Sequence, residues 1–122
     1  MAVRSVIVDF VNQTSKTLSR QDFGLSIGIW SNGPNGQMVP PEQIPPNGNA
    51  LFGSESDGFA TGTQGFANYE IGGDSTQIVS LQWDNPFKGD NSYPSTSPNN
   101  YSLQILGGEG NNATVVMILT GP

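Results

Sequence analysis

Apolar and polar residues alternate along residues 3–11, with Val6, Val8 and Phe10 on one face and Ser5, Ile7 and Asp9 on the other. That period of two predicts a strand with one face buried. A second alternation starts at Phe23, where Phe23, Leu25, Ile27 and Ile29 point one way and Gly24, Ser26, Gly28 and Trp30 the other. Small residues opposite the apolar face allow close approach of another chain segment, and Trp30 closes that face. Further strands are predicted at 50–53, 66–71, 77–83, 101–106 and 113–119. Between 71 and 77 lies Gly72-Gly73-Asp74-Ser75, a hairpin signal, and between 106 and 113 a longer glycine-rich connection, Gly107-Gly108-Glu109-Gly110-Asn111-Asn112. Residues 31–49 carry five prolines, including Pro40-Pro41 and Pro45-Pro46, and read as a long, stiff surface loop. Residues 54–65 are irregular with Phe59 as their only large apolar side chain, and 92–100 form another Pro/Ser/Asn loop. No helical period of 3.6 is sustained anywhere. Seven or so short strands punctuated by turns predict an all-β fold, a compact antiparallel β-sandwich of two sheets, with residues 1–122 forming one domain.

Composition narrows the chemistry. The chain has no cysteine and no histidine, which removes disulfides, thiolate metal sites, the commonest general base and the usual pH switch. Four basic residues (Arg4, Lys16, Arg20, Lys88) face ten acidic ones, for a formal charge of -6. Nucleic-acid binding, which needs several cations to displace counterions from phosphate, is excluded on this balance. A polybasic attraction to anionic membrane is excluded for the same reason, so membrane binding would rest on aromatic residues and head-group contacts. The apolar part of the N-terminus is short and broken by Arg4 and Asp9, which predicts a strand and no signal peptide. No run approaches the length of a transmembrane helix. The expectation is a chain made in soluble form.

The candidate functional loop follows the seventh residue of the 77–83 strand. Asn85-Pro86 stops the ladder at about Asp84, because proline lacks a backbone donor. Trp83, Phe87 and Tyr93 all fall between positions 83 and 93. Large aromatics so placed either fold back as a plug on a sheet edge or face a ligand. Catalysis is not expected, since only a Ser-Lys pair is conceivable and neither Lys16 nor Lys88 sits in a buried-looking segment. The carboxylate pairs Glu55/Asp57 and Asp84/Asp90 lie in Gly/Asn/Ser-rich loops, where Asp usually closes turns on its own backbone. Asp84, Asn85, Asp90 and Asn91 could offer oxygens to calcium, but not at EF-hand spacing, so no metal or other cofactor is assigned. The Gly107–Asn111 stretch lacks the Lys-Ser/Thr ending of a phosphate loop and joins two strands. Three Asn-x-Ser/Thr sequons, at Asn12, Asn100 and Asn112, matter only in a secreted protein.

Three blocks in register carry a family resemblance: Ser56-Asp57-Gly58-Phe59-Ala60-Thr61-Gly62-Thr63-Gln64-Gly65, then Asp84-Asn85-Pro86-Phe87-Lys88-Gly89-Asp90-Asn91-Ser92-Tyr93, then Gly107-Gly108-Glu109-Gly110-Asn111. With the opening Val6-Ile7-Val8-Asp9-Phe10-Val11-Asn12, they resemble the aegerolysins over almost the whole chain. Within that family the bacterial branch, which includes the small component of binary insecticidal crystal toxins, is the better match. The resemblance implies a two-sheet sandwich without enzymatic activity, binding a target-cell membrane lipid or receptor and acting with a larger partner protein that completes a pore. It implies a bacterial protein, cytoplasmic or held in an inclusion until it acts at the target membrane. By position, Trp83 matches the family's Trp-Asp or Phe-Asp aromatic, and Phe87 falls where fungal members carry Trp after Pro. Asp84 and Lys88 would supply polar contacts beside them, with Tyr93, Trp30 and Phe59 completing the candidate set. Aromatic-tipped loops on a rigid sandwich suit interfacial insertion. They suit stacking on sugars equally, so a lectin-like module without pore formation is the alternative. Edge strands leave homo-oligomerisation open.

Overall fold

The computed structural model describes residues 2–122. Eleven strands follow in order: β1 (Ser5–Gln13), β2 (Leu18–Ile27), β3 (Ile29–Trp30), β4 (Asn32–Gly33), β5 (Gly36–Gln37), β6 (Gln43–Ile44), β7 (Asn49–Glu55), β8 (Thr63–Ile71), β9 (Asp74–Asn85), β10 (Ser102–Gly107) and β11 (Asn112–Thr120). Seven of them are six residues or longer and correspond to the seven strands read from the alternation. They form two sheets, β10-β11-β1-β7-β3 and β6-β2-β8-β9, with β4 and β5 a separate short hairpin. Pairing is antiparallel except at the centre of the larger sheet, where the first and last long strands run parallel. Their registers match face to face: Val6, Val8 and Phe10 lie beside Ala113, Val115 and Met117, so one apolar face is continuous across the pair.

The core lies between the sheets. Val6, Val8, Phe10, Phe52, Val115, Met117 and Leu119 from one sheet meet Leu18, Ala67, Tyr69, Val79, Leu81 and Trp83 from the other. Aromatic rings dominate its packing, with Phe10 5.6 Å from Tyr69 and Phe52 5.6 Å from Trp83 between centroids. Burial of these rings and of the aliphatic side chains around them drives folding in a chain without cysteine.

Three segments differ from the sequence reading. The alternation from Phe23 does not run through to Ile29: a bulge between Leu25 and Ile27 resets the pleat of β2, and Ile29 belongs to β3 in the other sheet. Phe23 and Leu25 pack on the core, whereas Ile27 and Ile29 are exposed. The 31–49 segment is not one open loop. It contains β4, β5 and β6, and Ile44 inserts into the core beside Leu18. The short strand at 50–53 extends to Glu55, because its pairing with β1 continues to Ser5. The turn between β8 and β9 is Gly72-Gly73, both at positive φ, as two-residue hairpins require.

Candidate functional site

Strand registers gather five connections at one end of the sandwich. Ser5 lies opposite both Glu55 and Asn112, Ile29 opposite Glu55, and Thr63 opposite Asn85. Asn85 ties the two sheets together there. Its side-chain amide donates to the carbonyls of Ser5 (3.0 Å), Gly110 (3.2 Å) and Asn111 (2.9 Å). The segment before β1, the β2–β3 connection, the β7–β8 loop, the loop after β9 and the β10–β11 loop therefore share one surface.

The three sequence blocks meet at this end. In the first block, a Cβ at Gly65 would sit 2.5 Å from the Trp83 ring, and one at Gly62 would collide with the Asn85 carbonyl. Gly62 lets the β7–β8 loop lie directly on the block that begins at Asp84, and Gly65 in β8 leaves room for the Trp83 ring. The third block closes over the second. Asn91 donates to the carbonyls of Gly108 (2.8 Å) and Gly110 (2.9 Å), and the Tyr93 hydroxyl donates to Gly108 (2.8 Å). Arg4 spans the junction: its guanidinium donates to the carbonyls of Pro86 and Phe87 and lies 4.7 Å from the centre of the Phe87 ring. The stack and the two carbonyls fix the loop after β9.

Between the loops at 85–93 and 107–111 is a polar cleft of about 350 Å³, lined by Arg4, Phe87, Asp90, Tyr93 and Glu109 among others. Its backbone carbonyls are largely occupied by the Asn and Tyr donors. The Phe87 and Tyr93 rings, the Arg4 guanidinium and the Asp90 and Glu109 carboxylates are the groups it offers to a visitor, a combination suited to a small polar or zwitterionic moiety. Burial pushes the Tyr93 phenol above its ordinary range, partly opposed by its contact with Asn91, so it enters as a neutral donor. Among the described residues no group of three or more carboxylates is placed to hold a metal ion. Asn85 and Asn91 spend their amides on carbonyls.

The sequence-predicted residues separate into three groups. Trp83 is a correction: at 0% exposure it lies in the core, against Phe52 and Trp30, and its indole N–H donates to the Ser54 hydroxyl at 2.9 Å. It ends on the inward face of β9 because residues 79, 81 and 83 alternate inward, so it has no surface with which to meet a membrane. Trp30 packs on that cluster, 6.2 Å from Trp83 and 6.1 Å from Phe23, and is half-buried. Tyr93 is half-buried too, plugging the gap between the sheets beside the cleft. Phe87, Lys88 and Phe59 are on the surface, and Asp84 lies on the outward face of β9 paired with Ser92. Burial raises the Asp84 carboxyl above the ordinary value of 3.8.

Phe59 stands apart. It is 99% exposed at the tip of the β7–β8 loop, whose turn is held by the Thr61 hydroxyl donating to the Gly58 carbonyl. Ala60 beside it adopts φ 55, a conformation a β-carbon disfavours. Val3 and Ile29, also exposed, border a shallow depression of about 270 Å³ with Asp57 and Gly58 at the foot of this loop. Sequence reasoning missed Val3, Arg4, Ile27 and Ile29 as members of this surface, and weighed Asn85 and Asn91 only as oxygen donors to a cation, where their amides instead tie the loops together. For Arg4 a signal existed, since it is one of only four cations; for the isoleucines the alternation pointed inward.

This architecture defines a small two-sheet sandwich whose distinctive chemistry is collected in one cluster of loops. The chain belongs to the aegerolysin family, whose profile matches residues 3–118. It is 34% identical over 113 residues to an uncharacterised protein of Dictyostelium discoideum, covering 92% of this chain but only 10% of that protein. The chain thus spans about a tenth of the length of that relative. Among solved structures, RahU protein in complex with a Tris molecule is similar at a TM-score of 0.78 and 18% identity, over 100% of this chain and 98% of that one. The lipid-binding protein Nakanori is similar at 0.76 and 15% identity, over 98% and 72%. IP-1A from Alcaligenes faecalis is similar at 0.71 and 17% identity, over 96% and 91%. At these identities the structures testify to the shared sandwich.

Proposed function

We propose that this chain is a membrane-binding module that docks by the loop end carrying Phe59 and serves as the small component of a two-component, pore-forming toxin. The observation that carries the reading is the fully exposed Phe59 ring on a hydrogen-bonded loop, at the end where Val3, Ile27, Ile29 and Phe87 are also exposed. Exposed apolar side chains gathered at one end, unlike ones scattered singly, mark a surface that meets a partner or a membrane. Family membership and the lipid-binding description of the Nakanori structure support a lipid target. Glu55, Asp57, Asp90 and Glu109 outnumber Arg4 and Lys88 at this end, so attraction to anionic lipid does not supply the affinity. The rings and isoleucines enter the interface, and the polar cleft beside Phe87 takes up a head group. A larger partner, recruited to the bound module, completes the pore; an insect gut epithelium is the proposed target.

The test is vesicle binding and leakage, using phosphatidylcholine, sphingomyelin and cholesterol vesicles beside vesicles of insect midgut lipid, with this protein alone and with a candidate larger partner. Binding by the small protein that persists in high salt, with leakage only when both proteins are present, is the expected result. Absence of binding to every vesicle would overturn the membrane reading. A positive glycan array would then favour the lectin-like alternative, which rests on the same aromatic cleft.

A further inference from the structure

The sheet edges are unequally protected. Residues 92–96 cover the free edge of β9: Ser80 and Thr96 exchange two backbone hydrogen bonds, Asp84 and Ser92 exchange two more, and Gln82 N–H donates to the Ser95 hydroxyl. The edges at β3 and β6 are two residues long, and prolines at 40, 41, 45 and 46 surround β6. The fourth edge, β10, is different. It runs six residues, Ser102-Leu103-Gln104-Ile105-Leu106-Gly107, with no charge, no proline and no bulge. Natural sheets ordinarily blunt such an edge.

Its backbone polarity follows from the register. Gly108 N–H donates to the Thr114 carbonyl, so residues of even number in β10 face their β11 partners across the hydrogen-bonded pairs. Leu103 and Ile105 therefore turn their N–H and C=O groups away from β11, and among the described residues nothing bonds to them. Their side chains still face inward and pack on the core. The open groups thus belong to a strand held rigid from behind.

We propose that β10 is a self-association strand that pairs antiparallel with β10 of a second copy of this chain, about a two-fold axis at Gln104. In this register Leu103 meets Ile105 of the second copy and Ile105 meets its Leu103, so the four N–H groups and four C=O groups of these residues all pair. The two larger sheets become one sheet of ten strands. A second copy fits better than a foreign strand for two reasons. A two-fold axis makes the patch its own complement, and a strand without charge lets a chain of net charge -6 meet itself without opposing like charges. On the outer face Gln104 lies against its own counterpart, whose amide both donates and accepts, and exposed Leu106 lies against Ser102. A contact of one short strand covers less than the ~1,200–2,000 Å² of a stable interface, so the dimer is reversible and concentration-dependent. This inference is independent of the membrane reading.

Sedimentation equilibrium on the full chain tests it. The mass should rise from 12.9 kDa toward twice that value with concentration, and Gln104→Lys, which sets two cations on the axis, should weaken the dimer by about tenfold while melting like the parent. Since the chain has no cysteine, Gln104→Cys supplies a second measurement. The axis is a non-hydrogen-bonded pair with Cα atoms about 4.5 Å apart, within disulfide reach, so this variant should oxidise to a dimer much faster than Leu51→Cys, which is exposed on β7. A parent that stays monomeric at millimolar concentration, a Gln104→Lys variant that dimerises normally, or equal oxidation rates for the two cysteine variants would each overturn the proposal.

Discussion

Phe59→Ala offers the most direct test of the loop-end reading. The ring is 99% exposed, so it contributes nothing to the core, and its removal should alter stability by no more than about 0.5 kcal/mol. Binding is another matter. Transferring a phenylalanine side chain from water to an apolar medium is worth about 1.5–3 kcal/mol, and the methyl group retained by alanine returns about 0.8 kcal/mol. The net loss on truncation is about 1–2 kcal/mol, or roughly a 5–30-fold fall in the vesicle partition coefficient. Co-sedimentation across a lipid titration reads that coefficient, and denaturant unfolding of the same preparation reads stability. Phe59→Trp should bind at least as tightly as the parent, because indole favours the head-group region. If Phe59→Ala partitioned within twofold of the parent, the ring would not enter the bilayer. If it lost binding together with stability, the loop would be structural, and the transfer reasoning would fail.

Trp83→Ala should cost about 3–5 kcal/mol in denaturant unfolding, since it empties a fully buried site and leaves the Ser54 hydroxyl without its indole donor; normal stability would refute the core assignment. Gly65→Ala drives a methyl against the Trp83 ring and should lower stability by about 1–3 kcal/mol, read the same way. Tyr69 donates to the Pro41 carbonyl at 2.6 Å, and burial raises its phenol well above the ordinary 10.0. The protonated ring therefore favours the folded state, and its contribution should fade as pH climbs past 10, where the unfolded chain ionises. Tyr69→Phe should cost about 1–2 kcal/mol at neutral pH and flatten that alkaline decline in a pH series of unfolding curves. The Asp84 carboxyl is raised above 3.8 by burial, so the fold favours its protonated form and loses stability as pH rises through the acid range. Asp84→Asn should be at least as stable as the parent at pH 7, with the difference closing toward pH 3; a variant less stable at pH 7 would refute it.

Alternation alone determined the class of fold and the inward faces of its longest strands. Val6, Val8 and Phe10, like Ala67, Tyr69, Val79 and Leu81, stand in the core because a period of two leaves only one face to bury. The Gly72-Gly73 pair likewise located a hairpin turn, and the absence of histidine and cysteine limited the chemistry. What a one-dimensional pattern does not contain is the offset introduced by a bulge. The bulge between Leu25 and Ile27 turned Ile27 outward, and passage of the chain into the other sheet at β3 left Ile29 exposed, where the period pointed both in. Nor does it contain the depth at which a strand passes under its neighbours. Trp83 reads in sequence as the aromatic opening a loop, yet Gly65 across the ladder leaves room for its ring inside the sandwich. Phe59, one of several aromatics in the candidate set, became the most exposed of them at the tip of the β7–β8 loop. Asn85 and Asn91 gained their roles only when parallel pairing of β1 with β11 brought residues 5, 85 and 110 to one place. Sequence fixes which side chains prefer burial, through periodicity and transfer free energy; tertiary structure decides which of them are granted it, through register and the closure of distant loops on one end of the sandwich.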